Sequence, residues 1–324
     1  MKKILGAVTL AGAMVLAGQA SATELWEPHL PGSDEGLAAG ALPPPGVYGV
    51  LDNYLANYYA YTPSASKAPS TGLTALVEVP IVLWSTGIKV FGADYAVAIA
   101  QPFDYTSIGL GYGLPNGGGN GGSGNWGTYN TVLVPGQLAW TFGDFHVKTG
   151  LTVYVADASS TVAQIATQQW TKGGLPSGNG YWAVQPDLGL SWLHDGWNLS
   201  ASLHLPIPVS STTTTDYSYH SGTMFEADYT ATKTLGKWTL GLGAYQVNQL
   251  NSDSCSGSNC VNWAPGYVVG GGTNVHHIAS RYALGPIVGY QFGGINMQLT
   301  LNESVYVRNT VGGLFANLRF IVPF

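Results

Sequence analysis

Few residues of this 324-residue chain stand at spacings that do chemistry. Ser202 and His204 are two apart, and His220 is followed by Ser221, so hydroxyl nucleophiles and imidazole bases occur side by side. A nucleophile needs its base within hydrogen-bond reach. Along an extended strand residues two apart share a face and neighbours part, so Ser202 and His204 point inward together while His220 and Ser221 diverge. Neither G-x-S-x-G nor H-E-x-x-H is present. Cys255 and Cys260, in NSDSCSGSNCVN, read as a loop disulfide of an exported protein. The nearest histidines, His276 and His277, complete no zinc spacing. The Gly-rich stretch TSIGLGYGLPNGGGNGGSGNWG (106–127) lacks the strand–loop–helix setting of a phosphate cradle and reads as a loop. The sequence therefore points to no catalytic residue, no metal and no cofactor.

The elements that carry these residues begin with an export signal. In MKKILGAVTLAGAMVLAGQASA, Lys2 and Lys3 precede an apolar run from Ile4 to Ala17 and the small triplet Ala20-Ser21-Ala22. That pattern is a secretory signal peptide, residues 1–22, cut after Ala22. Its removal moves the formal charge from −6 to −8, and no basic stripe for nucleic acid remains. Charged residues are 9% of the chain and aromatics 12%, against roughly 25% charged in ordinary soluble domains. Even so, no stretch after residue 22 is long and apolar enough for a transmembrane helix. Apolar and polar residues are interleaved instead.

The interleaving has a period of two. From Trp197 to Ile207 the odd positions are all apolar and the even ones are Asn198, Ser200, Ser202, His204 and Pro206. Strands are expected over 46–61, 73–84, 89–103, 127–142, 145–155, 181–193, 197–207, 217–235, 238–249, 276–292, 295–308 and 311–324. Short turns at 85–88, 143–144, 194–196, 236–237 and 293–294 alternate with long connections at 62–72, 104–126, 156–180, 208–216 and 250–275. About twelve antiparallel strands with short turns at one end and long loops at the other are the layout of an all-β transmembrane barrel of the outer membrane. Both termini then lie on the periplasmic, short-turn side. Residues 46–324 form the barrel, and 23–45 are a periplasmic segment that either folds back as a plug or hangs as a loose tail.

Parity assigns the faces. Trp140, Phe142, Trp192, Trp197, Trp238 and Phe292 flank the short turns as an aromatic girdle. The lumen is expected to hold Glu78, Asp94, Tyr129, Lys148, Tyr154, Asp187, His204, Glu226, Asp228, Arg281, Tyr306 and Arg308. On the first strand, after the stiff Pro43-Pro44-Pro45-Gly46 lead-in, Tyr48, Tyr54 and Tyr58 are expected toward lipid and Asn53, Asn57 and Tyr59 toward the interior. Glu303 falls in the lipid-facing set, where a carboxylate is costly, so a bulge or a place near the outer rim is expected there, with an inward Glu303 near Arg308 as the alternative. The final strand alternates cleanly and ends on Phe324, the type of terminal aromatic strand by which the outer-membrane assembly machinery recognises its clients.

LPPPGVY, LAWTFGDFHVKTGLTVYV, QPDLGLSWLHDGWNLSASL, TTTDYSYHSGTMFEADY, LGLGAYQVNQL and NESVYVRNTVGGLFANLRFIVPF, in that order, resemble the outer-membrane family associated with phenol meta-pathway degradation. The likeness runs from about residue 40 to the C-terminus and departs at 156–180 and 250–275. It implies an outer-membrane β-barrel of a Gram-negative bacterium that admits hydrophobic or aromatic compounds. A barrel of about twelve strands is narrower than the 16 to 18 that leave a wide aqueous pore. The expected function is therefore uptake of a small hydrophobic solute, with a weakly cation-selective porin as the alternative and an outer-membrane lipid hydrolase behind both. Expected partners are outer-membrane lipids, the assembly machinery and the solute, and no nucleic acid.

Overall fold

The computed structural model describes residues 27–61, 73–108, 122–159, 177–213, 217–257, 278–308 and 310–324. The secondary structure among them is all β. The first part of the chain forms β1 (Gly46–Tyr61), β2 (Leu73–Val90), β3 (Ala93–Ala100), β4 (Phe103–Ile108), β5 (Gly122–Thr128) and β6 (Val132–Phe142). The middle forms β7 (Phe145–Tyr154), β8 (Ala183–His194), β9 (Trp197–His204), β10 (Ile207–Pro208), β11 (Thr212–Thr213) and β12 (Tyr217–His220). The last part forms β13 (Met224–Leu235), β14 (Trp238–Gln249), β15 (Ser254–Gly257), β16 (Ser280–Phe292), β17 (Ile295–Arg308) and β18 (Val311–Pro323).

Twelve of these close into an antiparallel barrel in the order β1, β2, β3, β6, β7, β8, β9, β13, β14, β16, β17, β18 and back to β1. The closing pair sets Tyr48 opposite Pro323 and Asp52 opposite Arg319. Closure leaves the twelve-stranded wall without a free edge, which a span through lipid requires. Past the end of β3, β4 pairs with β2 and β5 with β4; β10 pairs with β8, and β11, β12 and β15 make a small separate sheet.

The turns explain the register. Asp195-Gly196 and Phe91-Gly92 both have positive φ at each residue, the backbone of the type I′ turn that suits a two-residue hairpin. The second of these corrects the expected turn at 85–88. Strand β2 runs on to Val90, and Ser85 to Lys89 is a register shift against β3. The expected strand 89–103 is interrupted at Gln101-Pro102, where proline has no N–H to give the ladder. Opposite the break, residues 129–131 separate β5 from β6, and the Tyr129 amide donates to the Pro102 carbonyl at 2.9 Å.

Leu133, Leu151, Leu190, Leu240, Leu284 and Leu318 face outward and exposed, while the inside holds most of the buried polar side chains together with an apolar cluster around Tyr54, Tyr58, Val77, Tyr245 and Phe315. Phe91, Phe142, Phe145, Trp197, Trp238 and Phe292 are exposed around the short-turn end as a girdle, and Phe91 reaches 89% exposure. Glu303 keeps its outward place, opposite Leu284 and Leu314. A bulge does occur, but at Val305, past Glu303, where Tyr282 pairs with Tyr306 and Ala283 with Ser304. Leu242, four residues from the short-turn end of β14, is 61% exposed on the outer face. Leu242→Arg should destabilise the barrel by about 2–4 kcal/mol in a bilayer, measured by urea unfolding from lipid vesicles. A loss below about 0.5 kcal/mol would mean that this face does not meet hydrocarbon.

Candidate functional site

The lumen is not left to water. Residues 27–45 enter it and descend by consecutive turns, with Ser33 N donating to Leu30 O, Glu35 N to Gly32 O, Leu37 N to Asp34 O and Ala41 N to Ala38 O at 2.9–3.3 Å. Gly32 and Gly36, at φ of 80° and 81°, supply left-handed residues for this path. Such a segment has no sheet ladder, so its remaining amides need side-chain acceptors. Asp228 on β13 accepts from the Gly32 and Asp34 amides, each at 2.8 Å. Thr230 accepts from Gly36 at 2.8 Å and Ser191 from Gly40 at 2.7 Å. In return Gln298 donates to the Glu35 carbonyl at 2.7 Å, Asn302 to the Glu35 carboxyl at 2.8 Å, and Asn198 to Leu37 O at 3.1 Å.

Two arginines anchor the segment to the wall. Arg319, buried on β18, binds both carboxylate oxygens of Asp52 at 2.6 and 2.9 Å and also donates to the carbonyls of Ser33 and Glu35. Arg281 on β16 lies 3.2 Å from the Glu27 carboxylate and 5.3 Å above the Tyr58 ring. Close approach is made possible by wall glycines. A Cβ on Gly189 would stand 1.9 Å from the Ala39 carbonyl oxygen, and one on Gly243 would stand 2.1 Å from the Glu35 carboxyl. These strand positions carry no side chain because another backbone occupies the space.

The sequence-derived lumen residues divide accordingly. Tyr129, Lys148, Tyr154, Asp187 and His204 line one cavity of about 600 Å³ beside the segment. Glu226, Asp228 and Arg281 are inward and buried. Asp94 is near the short-turn rim, ion-paired with Lys89 at 2.6 Å, and does not line that cavity. Glu78 is corrected to the outer face: Ala75, Val77 and Val79 take the inside of β2, and Glu78 pairs with exposed Phe103 where β2 has passed β3. Tyr306 and Arg308 also face outward, because the bulge at Val305 shifts their parity, and Tyr306 stacks on Tyr282 with centroids 5.1 Å apart. On β1 the assignment reverses. Tyr54 and Tyr58 are buried inside, Tyr54 against Phe315 at 5.1 Å, and Asn53 and Asn57 turn out. Tyr48 likewise lines the lumen cavity. Ser202 donates to Asp34 at 2.6 Å while His204 Nδ1 meets Asp187 at 2.6 Å. The pair of Cys255 and Cys260 falls outside what is described, since Cys260 and the Cys255 side chain are not among the described residues.

The cavity is two-sided. Val50, Val79, Ile81, Ala98, Val132 and Val134, on β1, β2, β3 and β6, give an apolar wall, and Leu30, Leu37 and Leu42 of the segment face it. The polar lumen wall from β7 onward lies under the segment.

The segment carries its own charge state. Burial, with the Asp228 carboxylate beside it, pushes the Glu35 carboxyl up to about 9, against the pull of Asn302 and Arg319. Burial also opposes ionisation of Asp34, but His204, Lys148, His29 and the Ser202 hydroxyl outweigh it and hold that carboxyl below its ordinary value. A raised carboxyl favours docking fully below its free pKa of 4.5, and that contribution is lost as pH rises toward 9. A nitroxide at residue 37 should therefore gain mobility between pH 5 and 9, and Glu35→Gln should flatten the change. Gly189→Val should free the same label at every pH, because the new side chain takes the place of the Ala39 carbonyl. A label as immobile as in the wild type would refute the contact.

Comparisons place the wall among known barrels. No sequence match occurs among curated proteins. An outer membrane channel from Pseudomonas putida F1 superposes with a TM-score of 0.69 at 13% identity, over 88% of this chain and 98% of that one. The translocator domain of the autotransporter NalP from Neisseria meningitidis gives 0.47 at 10% identity, covering 88% and 91%. The toluene transporter TbuX of Ralstonia pickettii gives 0.38 at 11%, covering 87% and 90%. The first shares the fold, and the others are too distant to carry an argument. The sequence model of the family described as "Putative MetA-pathway of phenol degradation" matches residues 57–320, nearly the whole barrel, and the chain belongs to that family.

Proposed function

We propose that the protein is an outer-membrane channel that admits small hydrophobic or aromatic solutes, with both termini in the periplasm and residues 27–45 as its plug. The observation that carries this reading is the crevice between the apolar wall of β1, β2, β3 and β6 and the leucines of the segment. Small-molecule sites are typically concave, largely apolar, and oriented by a few polar groups. Here Tyr48, Tyr129, Gln137 and Tyr154 supply those groups around the aliphatic lining. The family description supports the same solute class. The inward charges are mostly committed to one another or to the segment, as in Arg319 with Asp52 and Arg281 with Glu27, which favours an apolar route over an ion filter.

The test compares a deletion strain with its complement for growth and uptake on a panel of aromatic and long-chain compounds. Ala98→Trp should fill the crevice without touching the docked polar half. The indole takes the space a solute would occupy, and uptake should fall about tenfold, the factor that about 1.4 kcal/mol added to passage would give. Equal uptake in deletion and complement on every hydrophobic compound would sink the proposal, as would large, steady, cation-selective conductance in planar bilayers.

A further inference from the structure

We propose that His29, His204 and Asp228 form a binding site for a divalent first-row transition-metal ion, bridging the N-terminal segment and the barrel wall. The three come from separate parts of the chain: His29 from the segment, His204 from the end of β9, and Asp228 from β13. All are buried, and their donor atoms lie within 4.8 Å of one another. His29 Nε2 is 3.8 Å from Asp228 Oδ2, and the two imidazoles stack with centroids 3.9 Å apart. Metal–nitrogen bonds of ~2.0–2.1 Å would draw the donors together and fan the rings apart, a change of about an ångström.

The hydrogen bonding of His204 is that of a ligand. Its Nδ1 sits 2.6 Å from Asp187 Oδ1, and Asp187 is itself held by Thr152 at 2.6 Å and Gln185 at 2.7 Å. A carboxylate on one ring nitrogen fixes the tautomer and raises the basicity of the other, the arrangement found behind metal-bound histidines. The other nitrogen, Nε2, is buried at a residue only 4% exposed and has no hydrogen-bond partner. Asp34 Oδ2 is 3.5 Å away without forming a hydrogen bond. The competitor at His29 Nε2 is the Ser33 hydroxyl at 3.0 Å, a single neutral contact.

Charge points the same way. Asp34, Asp187, Glu226 and Asp228 gather around two imidazoles, with Lys148 facing Asp34 from β7. Glu226, directly opposite His204 in the β9–β13 register, is 0% exposed, and neither of its carboxyl oxygens has a hydrogen-bond partner. Buried carboxyls gathered in this way are costly unless paired or coordinated to a cation. Two imidazole nitrogens and a carboxylate oxygen suit zinc, cobalt, nickel or copper rather than magnesium or calcium. A bound ion would tie the segment to two wall strands at once. The site stands whether or not the barrel passes hydrophobic solutes, and its test reads metal and not transport.

The full-length protein, folded in detergent and stripped with chelator, is titrated with Zn²⁺ and Co²⁺. The expected result is one tight equivalent, with visible cobalt bands of a nitrogen–oxygen site. His29→Ala and His204→Ala should each weaken binding more than about tenfold, and Asp187→Asn, which acts only through His204, about 10- to 100-fold. Only variants that migrate as folded, heat-modifiable barrels are scored. In the wild type, which needs no substitution, zinc should protect His29 and His204 from diethylpyrocarbonate, mapped by mass spectrometry. An adventitious metal only would overturn the proposal: substoichiometric or weak binding, affinity unchanged in folded His29→Ala and His204→Ala, loss of binding on replacing His276 and His277, or no zinc protection of His29 and His204.

Discussion

A backbone inside a closed barrel must find hydrogen-bond partners that are not its own neighbours, and the arrangement of the lumen follows from that requirement. Residues 27–45 make turns and no strand, so their free amides and carbonyls must be met by wall side chains. Those side chains are on the polar arc, where Asp228, Thr230, Ser191, Asn198, Gln298 and Arg319 receive the segment. The aliphatic arc formed by β1, β2, β3 and β6 meets the segment at its end, where Ser85 and Tyr48 donate to the carbonyls of Pro43 and Pro44. Along Val50, Val79, Ile81, Ala98, Val132 and Val134 it has no polar group to offer, so the segment leaves that stretch uncovered. The crevice is thus the remainder of the lumen after polar matching, and its apolar character is a direct result of where docking fails.

The same requirement explains how much was legible in the sequence. Strand number and order could be read because each two-residue turn interrupts a period-two pattern, as at Asp195-Gly196 between β8 and β9. The rule of apolar outside and polar inside assigns Asp187, His204, Glu226 and Asp228 to the inner face, and their side chains lie on that face. It failed on β1, where Tyr54 and Tyr58 are inside. They belong to an interior filled by Phe315, Arg281 and the segment, so that part of the lumen packs like a core. Tyr306 and Arg308 were lost to one extra residue at Val305, since a one-residue slip turns every following side chain to the other face.

The docking contacts were not legible at all. Gly32 meets Asp228 at a separation of 196 residues, and the Arg319 bond to Glu35 spans 284. Gly189 and Gly243 look in sequence like weak points of ordinary strands, and their role appears only when Ala39 and Glu35 are seen to occupy the missing side-chain volume. His29, His204 and Asp228 have no motif spacing because three distant elements bring them together.

The buried cluster at Arg319 also carries a consequence for the order of assembly. The segment is made first, yet Arg319 lies on the last strand, and its guanidinium joins Asp52 of the first strand to the segment's carbonyls. Seam closure and seating of the segment therefore share one side chain. A growing wall that lacks β18 has no Arg319 to complete the seat, so the N-terminal residues are held fully only once the cylinder is shut, and their occupancy marks a finished barrel.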